Sequence, residues 1–384
     1  AGSGVVSFDN IQLEFDLKTG ENVLWSIETE LPGFNSPIVY EDKVFFSGAN
    51  ELVRKVYCLN LSDGKLLWSA QVDVPARASE EIPNTIEDTG FAASTMATDG
   101  QFVYAIFANG DISCHDYSGK QIWAKNLGLP DTVYGYSNSL EVWQGNVLVQ
   151  FDHGYDELAP VSKAYSINGE TGVMNWQLTR PVASSWTSPI VAFTGGKWQY
   201  IAISNPFAIS YDPTTGAELW RFGPLSGDTA PSAVTTDNLT FLISPYSDIK
   251  AVSTALSGDI SEQEPIWIDS DGVPETTSPV TDGQKFWTLT SDGTLFGYNA
   301  ENGEKLYEYS LSFSFSSYAS PTLVGDKMIF FSREGKYVVL SLAGDAPEKV
   351  FEVEFGEMVN SSPAFAEGKM LIRTNSKIMC IGKK

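Results

Sequence analysis

Residues 211–220 read YDPTTGAELW. A Tyr-Asp pair leads into a polar turn, Gly216 follows, and a short alternating run ends on Trp220. Glycine suits a turn that needs positive φ, and the alternating run suits a half-buried strand. The same ending recurs along the chain: KTGENVLW to Trp25, SDGKLLW to Trp68, YSGKQIW to Trp123 and ETGVMNW to Trp176. Weaker copies are SEQEPIW to Trp267, ENGEKLY to Tyr307 and APEKVF to Phe351. The aromatics follow one another at 43, 55, 53, 44, 47, 40 and 44 residues. A period of this size marks a repeat architecture in which no unit buries its apolar face alone.

A second marker runs in phase. Ser-Pro, or a small-residue equivalent, stands at Ser36-Pro37, Ser94, Ser139, Ser188-Pro189, Ala230-Pro231, Ser278-Pro279, Ser320-Pro321 and Ser362-Pro363. Each opens a short apolar stretch, then a tight polar turn, then a strand such as KVFFSG, GNVLVQF or KFWTLTSDG. Asp-Gly and Asn-Gly between such runs are hairpin signals. A third strand (VYCLNL, DISCHDY, LFGYNA, KIMCIG) and the aromatic strand complete a four-stranded antiparallel unit. Eight such units predict an all-β, eight-bladed β-propeller. The last unit stops one strand short, and NVLWSIETEL near the start supplies the missing one, so an N-terminal strand is expected to complete the last blade and close the ring. Residues 1–384 then form a single propeller domain, expected to be monomeric.

Composition narrows the function. The 384 residues hold 24 Lys+Arg against 48 Asp+Glu, a formal charge of −24. Nucleic acid is excluded as a partner, because phosphate binding draws on clustered cations. The two histidines, His115 and His153, make a multi-histidine metal site or a triad with a histidine base hard to build. Cys58, Cys114 and Cys380 fall in the third strands of neighbouring blades, too far apart for a disulfide, and read as buried thiols. No apolar run approaches the 18 residues of a membrane-spanning helix.

The recurring Gly-x-x-x-Trp with an upstream Tyr-Asp resembles the tryptophan-docking motif of the quinoprotein alcohol dehydrogenase-like propellers, the PQQ repeat. YDPTTGAELW is the fullest copy, YNAENGEKLY at 298–307 keeps all but the Trp, and the resemblance covers nearly the whole chain. It implies that each aromatic stacks on a peptide of the neighbouring blade, a structural role worth about 3–5 kcal/mol on truncation. The family has two branches. Its dehydrogenases use pyrroloquinoline quinone with Ca²⁺ ligands, a catalytic Asp and often an adjacent Cys-Cys disulfide, a pair this sequence lacks. Its non-catalytic eight-bladed members, such as the propeller lipoprotein of the outer-membrane β-barrel assembly machinery, are similar in length and act as scaffolds. The second branch implies a periplasmic or cell-envelope location, with any membrane anchor supplied by a segment outside this chain.

No catalytic, cofactor or metal residue is assigned from the sequence. Glu80, Glu81 and Asp88 are carboxylates available to a dehydrogenase, but no spacing selects one. Asp269-Ser270-Asp271-Gly272 reads as a turn rather than a calcium loop, since position 12 of an EF-hand pattern would be Val280. His153 with Asp152, Asp156 and Glu157 reads as a solvated acidic loop. The loops joining each aromatic strand to the next blade emerge on one face and carry Phe34, Arg77, Phe91, Tyr134, Tyr136, Arg180, Trp186, Phe315 and Tyr318. Aromatics and Arg are the types enriched at binding hot spots. The leading expectation is a non-catalytic scaffold offering this rim to a protein or peptide. A PQQ- and calcium-dependent alcohol dehydrogenase and a carbohydrate-binding propeller are the alternatives.

Overall fold

The second strands of successive repeats are apolar along their whole length, whereas the aromatic strands alternate. In the computed structural model, which describes residues 4–7, 10–75, 81–156, 159–311 and 317–383, this difference follows from position. Asn146–Phe151 is buried on both faces between neighbouring sheets, while Met174–Thr179, outermost in the same sheet, shows alternate residues to solvent. Eight antiparallel sheets of this kind make an eight-bladed β-propeller. Blades 1 to 7 occupy residues 38–71, 97–126, 141–179, 190–222, 234–269, 280–310 and 322–354. Blade 8 takes three strands from residues 364–381 and its outermost from Val23–Glu28, in antiparallel register with Trp25 opposite Cys380 and Ile27 opposite Ile378.

The cores lie between blades, not within them. One cluster joins Tyr104, Ile112 and Cys114 of blade 2 to Val147, Val149 and Tyr165 of blade 3. The repeated aromatic seals most of these joints. Trp25 of blade 8 donates its indole N–H to Leu61 O of blade 1 at 2.9 Å, Trp68 to Tyr117 O of blade 2 at 2.9 Å, and Trp123 to Gly169 O of blade 3 at 2.7 Å. The ring lies on the glycine turn of the blade it reaches. A Cβ on Gly119 would stand 2.7 Å from the Trp68 ring, and that glycine has φ +89°, so no other residue fits. Trp220 departs from this rule. Its N–H goes to Gln199 Oε1 of its own blade at 2.6 Å, and Gly258–Asp259, from the long connection of blade 5, adds a parallel strand on the edge of blade 4.

The serine marker has a second structural use. The backbone N–H of Ser36 donates to Thr95 Oγ1 (3.1 Å), Thr95 to Ser139 Oγ (3.4 Å), Ser139 to Ser188 (3.0 Å), and Ser188 to Ser232 (2.8 Å). Ser232 continues to Ser278 (3.0 Å), Ser278 to Ser320 (2.9 Å) and Ser320 to Ser362 (3.0 Å). The innermost strands are thus stitched blade to blade. Two of the sequence positions shift: the stitching residue is Thr95 rather than Ser94, and Ser232 rather than the Ala230-Pro231 pair. A hydroxyl at the correct register decides the position, and the proline does not.

The segment before the closing strand also staples the ring. Val5–Val6 pairs in parallel with Leu323 and Val324 of the innermost strand of blade 7. Phe15 is buried between blades 7 and 8, with ring centroids 5.5 Å from Tyr337, 5.9 Å from Phe351 and 5.9 Å from Phe355. Blade 7 offers Phe351 where blades 1 to 5 offer Trp, and Phe15 fills the remaining space.

Candidate partner-binding rim

Strand alternation fixes which loops share a face. The connection leaving each outermost strand lies at the same end as the hairpin between the second and third strands. Backbone hydrogen bonds bind these loops edge to edge. Phe34 donates to Ala92 O at 2.9 Å, Ala108 to Phe91 O at 3.1 Å, and Tyr136 to Ala108 O at 2.9 Å. Further round, Gly154 donates to Asp131 O, Ser184 to Gly154 O and Trp186 to Thr229 O, each at 2.9 Å.

Phe34, Phe91, Tyr134, Trp186 and Tyr318 are half-buried on this face. Tyr134 and Trp186 meet edge to face, with centroids 4.8 Å apart at 87°. Tyr318 donates its hydroxyl to Asp88 Oδ2 at 3.1 Å, and Asp88 also pairs with Arg333, whose guanidinium lies 5.4 Å from the Tyr318 ring centroid. Asp88 belongs to the connection after blade 1 and Arg333 to a hairpin of blade 7. The contact therefore passes blades 8 and 1 and reaches across the mouth of the channel. Arg77 and Phe315 lie outside the described residues.

Tyr136 and Arg180 sit below the rim, not on it. Tyr136 is 3% exposed and stacks on Phe151 with centroids 5.2 Å apart. Arg180 is fully buried, with Nε 2.7 Å from Asp152 Oδ1 and Nη2 3.2 Å from Asp152 Oδ2, and Nη1 donates to Tyr211 Oη at 3.2 Å. Gln150 and Ser185 donate to the same carboxylate at 2.7 and 2.9 Å. A charge carried into an apolar joint needs this degree of pairing. Arg54 and Asp111 form a similar buried pair at 2.8 Å between blades 1 and 2. Beside it a cleft of about 340 Å³ is lined by Glu51, Leu52, Glu81, Ile82 and Phe91.

Two rim residues escaped the sequence reading because they stand on second-to-third-strand hairpins. Tyr155 is 63% exposed and Tyr246 is 76% exposed. Tyr246 adopts φ 64°, in the left-handed region that a bulky residue enters at a cost. Partial burial and the neighbouring carboxylates hold both phenols above their ordinary range. Asp131 and Asp228 act on Tyr155, and Glu275 and Asp228 on Tyr246. Counting hairpins as well as connections toward this face would have found both tyrosines.

Among the described residues, no three His, Cys, Asp or Glu side chains come together as a metal site. The thiols of Cys58, Cys114 and Cys380 are free and buried in separate blades, and burial pushes those of Cys58 and Cys380 up to about 12. Asp269 closes its own turn by accepting N–H bonds from Asp271 (2.8 Å) and Gly272 (3.2 Å), which leaves that stretch a turn. His153 accepts the N–H of Asp131 on Nδ1 at 3.4 Å, and Glu157 of that loop lies outside the described residues. Among the described residues no helix is long and apolar enough to cross a membrane.

The chain has the fold of proteins with very different roles. It superposes on the crystal structure of BamB from Moraxella catarrhalis with a TM-score of 0.68 at 12% identity, covering 93% of this chain and 98% of that one. A europium-containing methanol dehydrogenase gives 0.70 at 10% identity, covering 91% and 84%. The quinohemoprotein alcohol dehydrogenase from Comamonas testosteroni gives 0.67 at 13% identity, covering 94% and 76%. No curated protein matches in sequence. At these identities the likeness is one of fold. The sequence itself matches a family over residues 9–183 and 165–383, nearly its whole length. The chain belongs to that family, PQQ_2, described as outer membrane protein assembly factor BamB.

Proposed function

We propose that this protein is a non-catalytic scaffold of the bacterial envelope, a single propeller domain whose loop rim holds a protein or peptide partner. The observation that carries the reading is the rim itself. Side chains of the hot-spot type converge on one face, and the buried Arg180–Asp152 and Arg54–Asp111 pairs fix the loops beneath them. The family description as an assembly factor agrees. The partner-binding set comprises Phe34, Arg77, Phe91, Tyr134, Trp186, Phe315 and Tyr318, with Tyr136 and Arg180 as supports from below. A rigid ring with fixed loops lowers the ordering cost of binding, which is how a scaffold gains affinity without chemistry.

Capture from envelope extract on immobilised protein, compared with Trp186→Ala, tests this. Loss of specific bands with Trp186→Ala at unchanged melting temperature supports the reading. Identical captures remove the rim from it. A parallel thermal-shift titration with Ca²⁺ and pyrroloquinoline quinone together tests the dehydrogenase alternative. A ligand at a hundred times its dissociation constant adds about 2.7 kcal/mol, and a shift needing both components would replace the scaffold reading.

A further inference from the structure

The mouth of the channel holds the same three-part arrangement twice, once complete and once lacking a member. On the blade 7 side, Arg333 lies over the Tyr318 ring and pairs with Asp88. Below the rim the chain repeats the combination, with Arg180 5.7 Å from the Tyr211 ring centroid and paired with Asp152. On an outer strand Arg221 lies 5.4 Å from the Phe207 centroid and pairs with Glu218. Each is a guanidinium held between an aromatic face and a carboxylate.

In the rim loops of blades 3 to 5 aromatics and carboxylates gather again, and among the described residues no Lys or Arg pairs with Asp131 or Asp228. The backbone places them side by side: Asp131 O receives Gly154 N–H, next to Tyr155, and Thr229 O, next to Asp228, receives Trp186 N–H. A Cβ on Gly227 would stand 2.8 Å from Pro245 O, which brings Tyr246 to the same place. Tyr134 closes the group through its edge-to-face contact with Trp186. Asp131 and Asp228 are exposed, and among the described residues neither takes part in an ion pair with Lys or Arg, in a chain carrying −24 overall. Tyr246 holds its left-handed backbone while remaining 76% exposed, so its ring is not kept there by packing.

Resting on the scaffold reading, we propose that Tyr134, Tyr155, Trp186 and Tyr246 with Asp131 and Asp228 form a receptor for an arginine side chain of the protein partner. Cation–π attraction to several faces and a nearby carboxylate recognise a guanidinium with both its charge and its plane satisfied. The partner's arginine would complete in trans what Arg333 completes in cis.

The test uses the full chain and short peptides of Gly and Arg, with Gly-Lys and Gly-Gln counterparts, titrated calorimetrically at fixed ionic strength. The arginine peptide is expected to bind more tightly than the lysine peptide, and the glutamine peptide not to bind. Tyr246→Leu, which leaves the net charge untouched, should weaken the arginine peptide about fivefold, the effect of losing one aromatic face. Asp228→Asn should weaken it, whereas Glu308→Gln, which removes the same charge from an outer strand, should not. Equal affinity in wild type and Tyr246→Leu, or equal losses in Asp228→Asn and Glu308→Gln, would show attraction by the overall field alone and overturn the receptor. Circular dichroism and melting temperature confirm that each variant folds. Envelope capture that fails only in Trp186→Ala while arginine peptides bind nowhere would leave the scaffold reading standing without this site.

Discussion

His115 makes the stability of the ring depend on pH between about 4 and 6.5. It is fully buried in the third strand of blade 2, and its ring stacks on Trp68 with centroids 6.4 Å apart at 26°. Both ring nitrogens are buried without a hydrogen-bond partner among the described residues. Burial pulls its pKa down from 6.5 to about 4, against a smaller opposing pull from Asp116. The unfolded chain therefore binds a proton below pH 6.5 that the folded protein refuses until about pH 4. Because the unfolded state holds more protons in that window, stability falls as pH falls. The contribution is whole above pH 6.5 and declines by up to about 1.4 kcal/mol per unit, roughly 3 kcal/mol by pH 4. Burial also lowers His153, which acts in the same direction, so the measurement is a difference between wild type and His115→Leu. Urea unfolding followed by tryptophan fluorescence at pH 7, 6, 5 and 4.5 supplies it. Wild type is expected to lose about 2–3 kcal/mol more than the variant between the extremes, and at pH 7 the variant, relieved of two unpartnered nitrogens, should hold or gain stability. Parallel curves would refute the reasoning and mean that water or a breathing motion satisfies the imidazole in the folded ring.

Other outcomes follow from the same geometry. Asp152→Asn leaves the Arg180 guanidinium buried without its counter-charge and should cost about 3–5 kcal/mol in chemical denaturation, while Glu308→Gln on the outer face costs almost nothing. Gly119→Ala drives a methyl against the Trp68 ring and strains a left-handed backbone, for about 2–4 kcal/mol. Gly145→Ala, with φ +74° and nothing within 4 Å, should cost only the strain of about 1–2 kcal/mol, and melting curves separate the two. Phe15→Ala empties the joint of blades 7 and 8 and should cost about 3–5 kcal/mol, with hydrogen exchange rising first in those blades.

The sequence made the blades legible because the aromatic and its glycine form a local pattern whose spacing survives loop variation. Closure was legible for the same reason, since Trp25 carries the pattern on a strand with no blade of its own. The stitching register was less so. A hydroxyl at Thr95 rather than Ser94 is chosen by which residue faces the next blade, and a one-residue shift leaves no compositional trace. The strands at Val5–Val6 and Gly258–Asp259 are two residues each, shorter than any alternation can mark. In the rim, the loops carried the right residue types without their depth. Arg180 continues an alternating strand and turns inward to Asp152, a partner 28 residues away that only the folded register brings close. Tyr155 and Tyr246 needed the knowledge that second hairpins share the rim.

The joints between blades bear on how such a ring can change over generations. Most blades supply half of their joint on either side: a glycine turn and a hydroxyl that receive, an indole and an amide that reach out. A duplicated stretch of one period carries both halves wherever the duplication begins, so a unit can be inserted or removed without redesigning its neighbours. The exceptions sit where a half is missing. Blade 5 presents no glycine seat to Trp220, Tyr307 of blade 6 packs on Gly297 of its own blade, and blade 7 presents no tryptophan to blade 8. At the first and last of these the chain has added the Gly258–Asp259 strand and the Phe15 plug. Those two additions are specific to their sites, and a copy of blade 5 or blade 7 inserted elsewhere would arrive without them.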